Sequence, residues 1–87
     1  MDRVMEQTLI DIYEGEWKAS LKHGNGSERY SNGDYYIGHY REGLVDGTGK
    51  YIWRNGSSYT GGFSRGKKAG RGKWIVKDTA HALTRDE

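Results

Sequence analysis

The sequence predicts an all-β protein: a single-layer, elongated antiparallel meander of three consecutive hairpins, about six strands in all. Three observations carry this. The pattern aromatic-x-Gly-x-aromatic occurs at residues 13–17, 36–40 and 59–63, each copy 23 residues after the last. Within each copy, rings and glycine alternate with charged or polar residues at period two, the signature of a strand and not of a helix. Asn32-Gly33 and Asn55-Gly56 stand between such runs, where Asn-Gly is a strong hairpin signal. A fixed period of this size marks a repeat array, in which no unit buries its apolar face alone.

The elements follow in order. Residues 1–12 lie outside the repeat. Leu9-Ile10-Asp11-Ile12 alternates as a strand does and is expected to pair with the first repeat as an N-terminal edge strand or cap; an amphipathic helix over 3–10 is the competing reading. Repeat one opens with a strand at Tyr13, continues through a loop at 19–23 and Gly24-Asn25-Gly26, and enters a short strand at 27–30. The turn at 31–34 then reverses the chain, with positive φ expected at both Asn32 and Gly33. Repeat two has strand 35–41, loop 42–46, strand 50–53 and turn 54–57. Repeat three has strand 58–64, loop 65–69 and strand 73–76. Where a third Asn-Gly is due stand Asp78 and Thr79. Over 78–87, Asp78 either N-caps a short helix through Leu83 or the tail frays.

Aligned by the period, Trp17, Tyr40 and Phe63 form one row, Tyr13, Tyr36 and Tyr59 a second, and Tyr30, Trp53 and Val76 a third. Gly15, Gly38 and Gly61 fall on the same face as the rings. A glycine inside a strand often marks a close approach to the backbone, so rings from neighbouring strands are expected to cover these positions.

At 87 residues the chain supports one small domain, a size at which a partner or self-association commonly adds stability. It has no Cys, which removes disulfides, thiolate metal sites and a cysteine nucleophile, and suits a reducing compartment. A cytoplasmic location is expected, since no stretch has the apolar length of a signal peptide or a membrane span. The net charge of +2 conceals an uneven distribution. Residues 59–77 hold Arg65, Lys67, Lys68, Arg71, Lys73 and Lys77 with no acid among them.

Tyr13-Glu14-Gly15-Glu16-Trp17-Lys18 followed by His23-Gly24-Asn25-Gly26, with echoes over 36–49 and 59–72, resembles the MORN (membrane occupation and recognition nexus) repeat. The resemblance covers residues 13–77 in three units, 13–35, 36–58 and 59–77. It departs at Ser20, where the later units have Gly43 and Gly66, and at Glu28, where they have Tyr51 and Trp74. It implies a non-enzymatic scaffold that recruits partner peptides or dimerises end to end, at cytoskeletal or membrane-adjacent structures.

The residues themselves offer no catalytic constellation. The stretch 66–73 ends in Gly-Lys but has the wrong glycine spacing for a phosphate loop, and Trp74 occupies the position of the magnesium-binding hydroxyl. His23, His39 and His81 fall in separate elements without ligand partners at metal-binding spacing. Glu14 and Glu16 share a strand face with Lys18 and read as solvated. No enzyme activity, cofactor or metal is expected, so function rests on surfaces. An aromatic groove of Tyr36, Tyr40, Trp53, Tyr59, Phe63 and Trp74 is the candidate for binding a protein partner or peptide. The basic stretch, Arg65, Lys67, Lys68, Arg71, Lys73 and Lys77, reads first as a solvated face, then as a site for an acidic partner, then for acidic phospholipid. Nucleic acid ranks last, because alternation puts Trp74 and Lys73 on opposite faces. Unpaired sheet edges make a homodimer a further expectation, and a targeting segment of a larger protein is an alternative.

Overall fold

Period-two alternation can bury rings on one face only if each hairpin keeps its register with the next. A computed structural model gives the fold over residues 10–77. Six strands, β1 (Ile12–Lys18), β2 (Leu21–Arg29), β3 (Tyr35–Arg41), β4 (Leu44–Ile52), β5 (Ser58–Ser64) and β6 (Lys67–Ile75), form one antiparallel sheet in sequence order. The meander of three hairpins is as expected, and the described residues include no helix. The expected C-terminal cap lies outside them. The N-terminal edge strand is corrected in part: Leu9 is outside the described residues, Ile10 and Asp11 belong to no strand, and β1 itself forms the edge.

The two kinds of turn are exchanged relative to expectation. The segments read as loops at 19–23, 42–46 and 65–69 are two-residue turns, Ala19-Ser20, Glu42-Gly43 and Arg65-Gly66, after which the chain re-enters the sheet at once. Both residues of each turn have positive φ, from 49° to 90°, the twist that two-residue hairpins require. The Asn-Gly segments instead form three-residue loops: Gly33 N donates to the Tyr30 carbonyl at 3.0 Å, and Tyr30 N donates to the Asp34 carbonyl at 2.9 Å. Here only Gly33 and Gly56 have positive φ, while Asn32 and Asn55 accept from the backbone N–H groups of Asp34 and Ser57 at 2.9 and 2.8 Å. Asn thus closes the turn with its side chain and leaves the left-handed position to glycine.

Treating the glycine motif as the end of a loop also hid a bulge. Gly15 pairs with Gly26 and Trp17 with Lys22, so His23, Gly24 and Asn25 stand opposite Glu16 alone. The same irregularity recurs between Gly38 and Tyr40 and between Gly61 and Phe63. Glu16 Oε1 accepts from Asn25 N at 2.8 Å and so satisfies one amide that the ladder leaves free.

Beyond the bulge, the register lines up one glycine from every strand: Gly15, Gly26, Gly38, Gly49, Gly61 and Gly72 are successive cross-strand partners. The next row is Tyr13, Glu28, Tyr36, Tyr51, Tyr59 and Trp74. Tyr13, Tyr36 and Tyr59 lie down over the glycine row, and their hydroxyls donate to the carbonyls of Glu16, His39 and Gly62 at 2.7, 2.9 and 3.1 Å. Over Gly15, Gly38 and Gly61 the ring comes from the glycine's own strand, two residues earlier, and not from a neighbour as expected, whereas Gly26, Gly49 and Gly72 are covered by the same rings from the neighbouring strand.

With no second layer among the described residues, the rings are the core. Tyr36, Tyr40, Tyr59 and Phe63 are buried, with Tyr13, Tyr30, Val45, Tyr51 and Trp53 packed against them. The two expected rows interleave. Tyr13 meets Tyr40, Tyr40 meets Tyr36, Tyr36 meets Phe63 and Phe63 meets Tyr59, edge to face at centroid separations of 5.1–5.3 Å. Such pairs contribute roughly 0.5–1.5 kcal/mol each beyond the area they bury. A side-chain acceptor also recurs along the array, each taking a backbone N–H 20 residues further on: Asp11 Oδ1 accepts from Ser31 N, Asp34 Oδ1 from Arg54 N and Ser57 Oγ from Lys77 N, at 2.6, 2.9 and 3.0 Å.

Candidate functional site

The six rings assigned to the groove divide by burial. Tyr36, Tyr40, Tyr59 and Phe63 are between 0% and 7% exposed and hold the sheet together. Trp53 is partly buried, and Trp74 is 51% exposed. Of these six rings the exposed surface therefore lies at the C-terminal end, where Trp53 and Trp74 stack at a centroid distance of 5.0 Å and an interplanar angle of 10°, while at the other end of the ring face Trp17, against Tyr13, is 58% exposed. Trp74 also meets Tyr59, and Trp53 meets Tyr51. Beside them is a cleft of about 320 Å³ lined by Tyr51, Trp53, Phe63, Gly66, Lys67 and Lys68. A second cleft, of about 370 Å³, sits among the turn residues Arg41, Glu42, Leu44, Asp46, Ser64 and Arg65 and touches none of these rings.

Lys68 is the cation at this site. It pairs with Phe63 across β5 and β6, which puts it on the ring face. Its Nζ lies 4.8 Å from the Trp74 ring centroid, 5.4 Å from Trp53 and 5.9 Å from Tyr59. A lysine ammonium over indole faces is attracted by the ring quadrupole while its donors stay available.

The same position in the first repeat shows what is different here. Lys22 precedes Lys68 by two periods, and its Nζ lies 5.4 Å from the Tyr13 ring. There, however, the ammonium is neutralised by Glu28, with Nζ to Oε2 at 2.9 Å. Glu28 is 5% exposed, and its Oε1 accepts from the Tyr40 hydroxyl at 3.0 Å. The departure at Glu28 is thus a satisfied internal pair within the aromatic row. In the third repeat the equivalent of Glu28 is Trp74, and among the described residues Lys68 has no carboxylate partner.

The basic stretch does not form one surface. Lys73 pairs with Thr60 in the row next to the Tyr59–Trp74 row, so its side chain faces away from the rings that Lys68 covers. Lys77 packs over Gly56, and its amide donates to Ser57. Arg65 donates its amide to Asp46 Oδ2 at 3.0 Å, while Lys67 and Arg71 are exposed. Only Lys68 joins the rings.

Burial sets the ionisation of the tyrosines. It pushes Tyr36 and Tyr30 up to about 12. Tyr40 is driven higher by burial, by neighbouring Tyr30 and by its bond to Glu28, and Tyr51 is raised by burial and by donating to Asp34 at 2.7 Å. All four remain neutral hydrogen-bond donors at physiological pH.

Among the described residues no three His, Cys, Asp or Glu side chains gather as a metal site needs. His23 and His39 sit on different strands, and His81 lies outside the described residues. The aromatic rows, the positions of the Asn-Gly turns and that of Trp74 were visible in the sequence. The placement of Lys68 over the rings was not, because it depends on the two-residue turn Arg65-Gly66, which pairs Lys68 with Phe63 where a loop over 65–69 was expected.

The family model of the MORN repeat matches residues 13–35, 36–58 and 59–75. No curated relative matches the chain.

Proposed function

The chain belongs to the MORN repeat family, and from that premise we propose that it is a non-enzymatic interaction module whose ring face binds an acidic segment of a protein partner at Trp53, Trp74 and Lys68. Repeats of this family act in protein or membrane interactions, and the family is not known as enzymatic. The observation that carries the finer reading is the stacked pair of Trp53 and the half-exposed Trp74 beneath a lysine that, among the described residues, has no counterpart of the carboxylate that pairs with Lys22. Parallel indoles offer flat apolar area at low entropic cost. The ammonium above them selects an Asp, Glu or terminal carboxylate that can take the place Glu28 fills in the first repeat.

The test uses peptides selected from a random library by the wild-type protein, with affinity measured by the change in tryptophan fluorescence. Selected peptides should carry a carboxylate next to an apolar or aromatic residue. Lys68→Glu should abolish their binding and Trp74→Ala should weaken it at least about tenfold, with the circular dichroism spectrum unchanged. Retained affinity in both variants would overturn the proposal. So would binding to phosphatidylserine vesicles that competes with the peptides and is reduced equally by Lys73→Glu, because the basic residues would then act as a dispersed charge rather than at one site.

A further inference from the structure

The outer edges, β1 and β6, are unpaired among the described residues. From the register within the sheet, the structure assigns them to each other: we infer that the β6 edge of one molecule pairs with the β1 edge of a second copy, head to tail, extending the sheet by whole repeats.

The internal joints supply the geometry. At the first joint β2 meets β3, and at the second β4 meets β5, with the same register in both. Two periods on, β2 becomes β6; one period back, β3 becomes β1. The pair Gly26–Gly38 then becomes Gly72 against Gly15 of the second copy, which carries the glycine row across the boundary. Glu28–Tyr36 becomes Trp74 against Tyr13, and Arg29–Tyr35 becomes Ile75 against Ile12. Trp74, Ile75 and Ile12 are 51%, 52% and 49% exposed, so the joint would cover apolar surface that the single molecule leaves open.

Charge makes the match specific. Asn25–His39 becomes Arg71 against Glu16 of the second copy, and Ser27–Ile37 becomes Lys73 against Glu14. Both are opposite-charge cross-strand pairs, side by side on one edge. The internal joints hold no such pair at these positions: the first has Asn25 with His39 and Ser27 with Ile37, and the second has Thr48 with Gly62 and Lys50 with Thr60. Glu14, Glu16, Arg71 and Lys73 are all exposed. Glu16 holds Asn25 N through Oε1 and keeps Oε2 for the partner. Two acids on one edge and two bases on the other disfavour like-edge pairing, β1 on β1 or β6 on β6, and favour the heterologous joint, which does not close on itself.

Sedimentation velocity of the full-length chain over a wide concentration range tests this. The wild-type mass average should rise with concentration without a plateau at dimer, and should fall as salt is added. Glu14→Lys and Lys73→Glu should each weaken association at least about tenfold, with unchanged circular dichroism. The double variant Glu14→Lys/Lys73→Glu restores an opposite-charge pair with its two members exchanged, and should recover association. A wild-type protein that stays monomeric, a discrete dimer insensitive to either single variant, or a double variant no better than the singles would each overturn the inference. Trp74 lies in both the joint and the peptide site, but the charge variants leave Trp53, Trp74 and Lys68 in place, so peptide affinity measured on them reports that site separately from association.

Discussion

Replacing Gly49 with alanine puts a methyl group where the fully buried Tyr36 ring lies. A Cβ built there stands 2.5 Å from Tyr36 Cζ and 2.6 Å from Cε1, whereas ordinary contact begins at 3.4 Å. The ring must retreat by nearly an ångström. It is held between Tyr40 and Phe63, each at 5.3 Å, and anchored by its hydroxyl on the His39 carbonyl at 2.9 Å. Overpacking of this kind costs about 1–3 kcal/mol. Losing the hydroxyl bond adds roughly 0.5–1.5 kcal/mol, and the stiffer unfolded chain returns about 0.4–1 kcal/mol. The expected net loss is on the order of 2 kcal/mol. Gly70→Ala is the control: no atom lies within 4 Å of its Cβ, so only its φ of +71° is penalised, at about 1 kcal/mol. Urea unfolding followed by tryptophan fluorescence gives both values, and equal slopes show that the same surface is exposed. If Gly49→Ala is no less stable than Gly70→Ala, the ring is not pinned on the glycine row and the account of the core given above is wrong.

Three further outcomes follow from particular side chains. Ser20 has φ +68° where the later repeats place glycine, so Ser20→Gly should raise the unfolding free energy measured in urea by about 0.5–1 kcal/mol after the entropy of the added glycine is deducted. Glu28→Ala removes the acceptor of both Lys22 Nζ and the Tyr40 hydroxyl, and should cost about 2–4 kcal/mol in thermal or urea unfolding; a neutral result would mean water replaces the carboxylate freely. Raised tyrosine pKa values set an alkaline limit. Tyr30 and Tyr36 ionise near 10 when unfolded and at about 12 when folded, so above pH 10 the unfolded state binds fewer protons and stability falls with rising pH. Phenolate absorbance of these residues should therefore appear together with the loss of the circular dichroism signal between pH 10 and 12, and not as a titration of the intact fold.

The repeat was legible because period and alternation act locally: Tyr13, Tyr36 and Tyr59 announce both the strand and its inward face. What stayed hidden depends on partners distant in sequence. The bulge opposite Glu16 arises only when β1 and β2 pair, and without it residues 19–23 read as a loop. The exchange of turn types has the same origin, since Ala19 and Ser20 carry no turn signature of their own and take positive φ because the sheet on either side demands it. At the candidate site, Trp53 and Trp74 were recognisable as rings, but the basic stretch read as one patch because a loop over 65–69 gives Lys68 no face, and only its place in β6 sets it opposite Lys73. Glu28 read as a defect in the first unit, since neither Lys22 nor Tyr40 is its neighbour in sequence.

The glycine row also limits how such a chain can change in length. Tyr13, Tyr36 and Tyr59 fit only where two glycines lie beneath them on adjacent strands, so a single residue gained or lost inside a strand throws every ring beyond it onto a position with a side chain. A step of 23 residues restores the alignment in full. Growth or loss is thereby restricted to complete units, and the array behaves as a ruler graduated in hairpins.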